Sequence, residues 1–257
     1  MHKFVFAIVI CSVIATLFLA GCTQQSTNNS FVGAIFKQWL DNAKTITSAR
    51  VYVDGYLEFV NTNNTQTTFD FNGTIYYKND KFRNSLDVIQ NAGQANSINL
   101  HSDSYSVAGE VTTCQKIANK SKCMPLRNYK IPTNQQELII YESIYNKGAF
   151  SFSSGETKTV VGKTCTKISI TVDIPKLSTN EKEYLALMSN LPSYASASLS
   201  SFKLNICVVP EEGTNYESEI FAELIDGTKV HSYVVQTDTQ KKIDIPDEIF
   251  IPPSIEQ

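Results

Sequence analysis

Catalytic vocabulary is scarce in this sequence. Three histidines and one tryptophan occur in 257 residues, and His2 belongs to the extreme N-terminus. No Gly-x-Ser-x-Gly, His-Glu-x-x-His, P-loop or Gly-x-Gly-x-x-Gly pattern is present. Nucleophile elbows, zinc-protease helices and phosphate-cradling loops are thereby excluded. Cys-x-x-Cys pairs are also missing, which argues against a zinc site. The net charge is −3 with no basic run, and this counts against nucleic acid as a partner and against simple attraction to anionic lipid heads. His101 and His231 fall in predicted strands without a cysteine or acid at ligand spacing. Glu211-Glu212 and Asp247-Glu248 are acid pairs in turns, and Ser151-Phe152-Ser153-Ser154-Gly155 is a serine-rich turn. The reading is a protein that is not an enzyme and that carries no cofactor and no metal.

What is present begins at the N-terminus. Met1-His2-Lys3 form a short basic leader, and Phe4 to Leu19 run apolar apart from Ser12 and Thr16. Such a leader and apolar run make a secretory signal, and the run is shorter than the roughly 20 residues of a comfortable membrane span. It ends in Leu19-Ala20-Gly21-Cys22. Small residues ahead of a cysteine suit a signal peptidase cleft, and the thiol suits a thioether-linked lipid, so the segment resembles a lipobox. The expected organisation is a signal peptide over residues 1–21, a lipidated Cys22 with a polar tether over 22–30, one domain over 31–253 and a tail over 254–257. This places the protein outside the cytoplasm, lipid-anchored to the cell membrane or cell surface, and the membrane is its partner through Cys22. The residues point to no particular protein partner.

Cys11 leaves with the signal. The remaining four, Cys114, Cys123, Cys165 and Cys207, are an even set in an exported chain and read as two disulfides. Three connectivities are open. Cys114–Cys123 is favoured as a closed polar loop. Cys165–Cys207 is favoured by parity: each lies on a predicted strand, on the side away from the apolar residues.

The hydrophobic pattern gives an amphipathic helix over 31–47 with Ser30 as its cap, and Phe31, Val32, Ile35, Phe36, Trp39, Leu40, Ala43 and Ile46 on its apolar face. Strands are expected over 50–60, 69–78 and 81–89, a shorter one over 95–101, and another over 104–114 after a turn at Ser102-Asp103. A second helix over 133–147 shows Leu138, Ile139, Tyr141, Ile144 and Tyr145 on one side. Strands over 149–153, 156–161 and 163–173 follow, then a third helix over 179–191 stopped by Pro192. Strands over 201–209, 216–225 and 228–237 close the chain, the last two joined by Asp226-Gly227. The fold class is α+β: a curved antiparallel sheet, an unclosed barrel of about nine to eleven strands, with three helices on its concave apolar face. The tail from Ile243 to Pro253 holds too much proline for a central strand.

This order of elements, with the closing Ile245-Pro246-Asp247-Glu248-Ile249-Phe250 and Pro252, resembles the LolA/LolB-like lipoprotein carrier superfamily and its mycobacterial lipid-binding relatives. The resemblance implies an unclosed barrel wrapped around helices, an apolar cavity, and a terminal strand at the proline-rich ending. It implies a membrane-anchored lipoprotein that binds or carries a lipid or other hydrophobic ligand. The candidate lining is Phe59, Phe69, Phe71, Ile75, Tyr77, Phe82, Leu86 and Ile170. The alternative is a surface-exposed structural or interaction lipoprotein with no small ligand, its apolar face filled by its own helices.

Overall fold

A computed structural model of the chain describes residues 27–91, 97–107, 110–117, 120–126, 134–191 and 193–253. The signal segment, Cys22, the turn expected at 91–94 beyond Asn91, Pro192 and the tail at 254–257 lie outside the described residues.

Alternation builds the strands. In β1 (Ser48–Val60), Val51, Val53 and Leu57 are buried while Asp54 is exposed. One apolar face and one wet face is the mark of an antiparallel sheet packed on a single side. β2 (Gln66–Lys78) and β3 (Lys81–Asn91) continue the pattern. The β1–β2 turn is held by Asn61, whose Oδ1 accepts the amides of Asn63 at 3.0 Å and Thr65 at 2.8 Å. The β2–β3 turn uses Asn79 with φ 54°, a left-handed conformation that asparagine tolerates. β4 (Ser97–Val107), β5 (Glu110–Ile117) and β6 (Lys120–Pro125) extend the meander. β7 (Phe150–Ser153), β8 (Thr157–Val160), β9 (Lys163–Val172), β10 (Leu199–Val209), β11 (Thr214–Leu224) and β12 (Lys229–Lys241) complete the set.

All twelve strands join one antiparallel sheet in the order β6-β5-β4-β3-β2-β1-β12-β11-β10-β9-β7, with β8 also paired to β9. The first and last strands meet in the middle: β1 pairs with β12 from Ala49↔Lys241 to Val60↔Lys229. Two wings therefore grow from one seam. The N-terminal wing runs outward from β1 to β6. The chain then crosses to the opposite edge and returns inward from β7 to β12. Edges remain at β6 and at β7/β8, so the barrel is unclosed, as expected. Two glycines let the central strands curl. A Cβ on Gly55 would stand 2.2 Å from the Tyr233 carbonyl oxygen and 2.7 Å from the Phe71 ring, and one on Gly73 would stand 2.1 Å from the Ser85 carbonyl oxygen. Real side chains do not fit at such approaches.

Three helices line the concave side. α1 (Thr27–Ala43) buries Val32, Phe36, Trp39, Leu40 and Ala43 against β7, β10 and the Pro210–Glu212 turn. Its Asn42 Nδ2 donates to the Pro210 carbonyl at 2.9 Å. Fully burying a Phe or Leu stabilises by roughly 1.5–3 kcal/mol, so this face holds the helix down. α2 (Asn134–Asn146) carries the chain from the β6 edge to β7, and Gly148 at φ 62° ends it. α3 (Thr179–Met188) starts in a capping box between Ser178 and Glu181 and packs on β10 and α2.

Several expectations are corrected. α1 begins at Thr27, so Ser30 is inside the helix and is not its cap, and the last four tether residues are helical. Phe31 faces outward at 65% exposure, and Ile139 of α2 does the same at 62%; each falls on the far side of its helix from the buried stripe. β4 runs straight through Ser102-Asp103, which is not a turn. The stretch between Cys114 and Cys123 is not a loop but the β5–β6 hairpin, which supplies the twelfth strand. The proline-rich ending forms no terminal strand. It lies across the convex side of β3 and β4 as a 3-10 turn, Asp247–Phe250, with Ile245 and Phe250 buried. Lys78 Nζ holds it by donating to the Ile245 carbonyl at 2.7 Å, and Asp247 bridges Lys78 at 3.0 Å and Lys81 at 2.8 Å.

Both cysteine pairs have their sulfurs at bonding distance, 2.12 Å for Cys114 and Cys123 and 2.13 Å for Cys165 and Cys207. Cys114 and Cys123 are direct cross-strand partners. Cys207 is paired with Lys167, so Cys165 reaches it diagonally, on the outer face where parity puts it. There the second pair forms a small apolar cluster with Val160 and Tyr216. Disulfides persist in oxidising compartments, which agrees with an extracytoplasmic location. Among the described residues no helix is long and apolar enough to cross a membrane.

Candidate functional site

The concave face is laid out in rows fixed by the strand register. Val53, Gly73, Leu86 and Ser102 form one row across β1 to β4. Gly55, Phe71, Val88 and Leu100 form the next. On the other side lie Val51, Ile75, Asn84, Ser104 and Thr113, then Ala49, Tyr77, Phe82, Ser106 and Val111.

The eight candidate lining residues share one continuous apolar cluster. Phe69, Phe71, Ile75, Phe82, Leu86 and Ile170 are buried, and Phe59 and Tyr77 are half-buried against them. They do not form one patch. Seven sit on β1, β2 and β3. Ile170 sits on β9 in the other wing, between Leu204 of β10 and Phe152 of β7. The lining reading omitted Val88, Leu100 and Val111 and the helix side chains Leu185 and Met188; Leu138 and Ile144, read as the apolar side of the second helix, also join the cluster.

At β4 and β5 the inner face changes character. Ser102, Ser104, Ser106, Asn84 and Thr113 are all buried. The Asn84 Oδ1 accepts the Ser104 amide at 2.9 Å, and the Ser104 and Thr113 hydroxyls share a hydrogen bond at 2.8 Å. The Ser102 hydroxyl is buried with no hydrogen-bond partner among the described residues. Small polar side chains fill this seam where a packed core would carry leucine or isoleucine.

Two carboxyls mark the helix layer, and their environments pull them apart. Glu137, in the first turn of α2, is buried, and desolvation pushes its carboxyl well up despite a hydrogen bond from Tyr184. Its neighbours are tyrosines. Burial and the nearby Glu137 raise Tyr77, Tyr141 and Tyr184, and the Tyr141 and Tyr184 rings meet edge to face at 5.1 Å. Glu181 is the opposite case. Burial pushes it up, but hydrogen bonds from Lys147 at 2.8 Å, the Ser178 amide at 2.7 Å and the hydroxyls of Ser143 and Ser178 outweigh burial and hold it at about 2.

The histidines have acidic neighbours that sequence spacing did not reveal. His101 Nδ1 lies 2.8 Å from Asp87 and its Nε2 3.1 Å from Asp103. Asp103 in turn accepts Arg83 Nη2 at 2.7 Å. His231 Nε2 lies 3.1 Å from Glu219, under the stacked ring of Phe221. Strand geometry supplies these acids: Asp87 is the direct cross-strand partner of His101, Asp103 lies two residues along on the same face of β4, and Glu219 comes from the neighbouring β11. Both clusters are on the convex face, away from the apolar rows. The acid pair Glu211-Glu212 stays in the β10–β11 turn, where Glu212 accepts the Tyr216 hydroxyl at 2.9 Å. The serine-rich segment is split between β7 and the turn before β8.

No family model matches the chain, and no curated protein matches it. Among solved structures, a LolA superfamily protein from Nitrosomonas europaea is similar at 11% identity and a TM-score of 0.27, covering 88% of this chain and 99% of that one. A beta-barrel-like protein of a domain of unknown function, DUF1849, from Brucella abortus is similar at 10% identity and a TM-score of 0.28, covering 77% of this chain and 99% of that one. At such scores the architecture stands on this chain's own strand order and pairing.

Proposed function

We propose that this chain is an extracytoplasmic lipoprotein, anchored to the membrane by lipid on Cys22, that holds a lipid or other hydrophobic molecule against the concave face of its sheet. One observation carries the ligand reading. The N-terminal wing presents a buried apolar surface, Phe69, Phe71, Ile75, Phe82 and Leu86, that runs into the small polar residues Ser102, Ser104, Ser106 and Thr113 of β4 and β5, beside Leu100 and Val111. A concave apolar surface with a few convergent polar groups is the usual form of a small-ligand site. The anchor reading rests on the signal-like leader and Leu19-Ala20-Gly21-Cys22. Stable anchoring takes two acyl chains or more.

Two measurements test the two halves. Residues 23–257, exported to an oxidising compartment and purified without detergent, should carry lipid that organic extraction and mass spectrometry detect. A chain that folds with both disulfides but yields no lipid, and gains none on exposure to membrane lipids, would sink the carrier idea. For the anchor, Cys22→Ser should move the full chain from the membrane fraction to the soluble fraction; continued membrane retention after signal cleavage would refute lipid attachment there.

A further inference from the structure

We propose that the buried serine seam of the N-terminal wing is a headgroup subsite, and that it takes a neutral hydrogen-bonding group, an ester or hydroxyl on an apolar chain, rather than an anionic head. The inference rests on the ligand reading above and names the class of ligand that reading leaves open.

The geometry singles out Ser102. Its neighbours on the seam satisfy one another: Asn84 accepts the Ser104 amide, and Ser104 bonds Thr113. Ser102 is 1% exposed, and its hydroxyl has no hydrogen-bond partner among the described residues. A buried hydroxyl without a partner is costly, and native proteins leave few of them. A ligand oxygen beside it would offset that cost, since a hydroxyl can both donate and accept. The same row runs on to Leu86, and the next row to Leu100 and Phe71, so an apolar chain leaving Ser102 stays on apolar surface. One step along β4 to the next inner residue is roughly 7 Å, the scale of a head and the start of its tail.

The charge around the seam selects against anions. Among the described residues, the inner positions of β1 to β5 carry no lysine or arginine. A carboxylate or phosphate seated there would be desolvated without a counter-charge from these strands. A neutral ester or alcohol needs none.

The test uses the full chain in membranes and three photoactivatable probes with the same alkyl chain and diazirine position: a hydrocarbon, a monoacylglycerol and a free fatty acid. Labelling is mapped by peptide mass spectrometry. The monoacylglycerol should label β3 to β5 more strongly than the fatty acid. Ser102→Ala should cut that labelling roughly three- to tenfold, the range one hydrogen bond supports, while hydrocarbon labelling stays constant and thereby reports an intact fold. Equal labelling by fatty acid and monoacylglycerol, or no effect of Ser102→Ala on the monoacylglycerol, would overturn the subsite. Absence of concave-face labelling by all three probes would instead overturn the ligand reading beneath it.

Discussion

The C-terminal wing and the N-terminal wing use the same antiparallel alternation but fill their concave faces differently. On the C-terminal wing, Ile168, Ile170, Phe202, Leu204 and Ile206 are all buried, and helices α1 and α3 pack on β10. On the outer strands of the N-terminal wing, the equivalent inner positions are Ser102, Ser104, Ser106 and Thr113. One wing is a packed core. The other joins an apolar floor to a polar seam. The difference teaches that a sheet can be locally regular on both sides of its midline while only one side is optimised for stability.

Truncation separates the wings most strongly. Phe202 is fully buried on β10, and Phe202→Ala should cost about 3–5 kcal/mol through lost burial and a cavity. Ser104→Ala removes one hydroxyl pair with Thr113 and should cost only about 1–2 kcal/mol. Urea unfolding of both variants gives the ratio. Equal losses would mean that the seam is as tightly integrated as the helix-covered wing, and the contrast would fail.

The disulfides offer the next largest contrast, because each wing has one near its edge. Cys165 and Cys207 are 42 residues apart, and Cys114 and Cys123 are 9 apart. Loop-closure entropy in the unfolded chain then predicts losses of about 4 kcal/mol for Cys165→Ala/Cys207→Ala and about 2.5 kcal/mol for Cys114→Ala/Cys123→Ala. Non-reducing denaturation curves rank the two. A reversed rank would show that the short hairpin link is holding more than its own turn.

How much of this was legible in the sequence follows the same division. Strands β1 to β3 and β9 to β12 were readable because apolar residues recur at every second position, and the pairing of Cys165 with Cys207 followed from that parity. β4 was not readable. Its inner row is mostly serine, so the period-two signal vanishes and Ser102-Asp103 looks like a turn; the strand continues because Asp87, Arg83 and Asn84 of β3 give its residues partners. The β5–β6 hairpin is mostly polar, with Val111 as its one buried aliphatic residue among the described residues, too sparse a signal for a period-two pattern. Phe31 and Ile139 were assigned inward because an apolar residue beside a stripe counts toward it, although its helical phase does not. The apolar floor at Phe69 to Leu86 was legible as a face. The seam that ends it was not, since buried serine and exposed serine are the same letter.

The finest contrast lies in the helix layer and is a matter of sign. Glu181 is held at about 2 against an ordinary 4.5, so between those values the folded chain binds fewer protons than the unfolded one. Its stabilisation is fully present above about pH 4.5 and is lost as pH falls toward 2. Lys147 is partly exposed, which weakens the pair through solvent screening, so Glu181→Gln should cost roughly 2–3 kcal/mol at pH 7 and almost nothing near pH 2. Glu137 is shifted the other way by burial. Its folded form keeps a proton that the unfolded form releases, so stability falls as pH rises above the ordinary carboxyl range. Glu137→Gln should therefore raise the melting temperature at pH 8 relative to wild type, with the gain shrinking toward pH 4. Thermal melts across that range read both signs in one series. A Glu137→Gln variant that loses stability at pH 8 would mean that the buried carboxyl is ionised and paired, and that the interior facing Tyr77 is far more polar than its apolar rows imply.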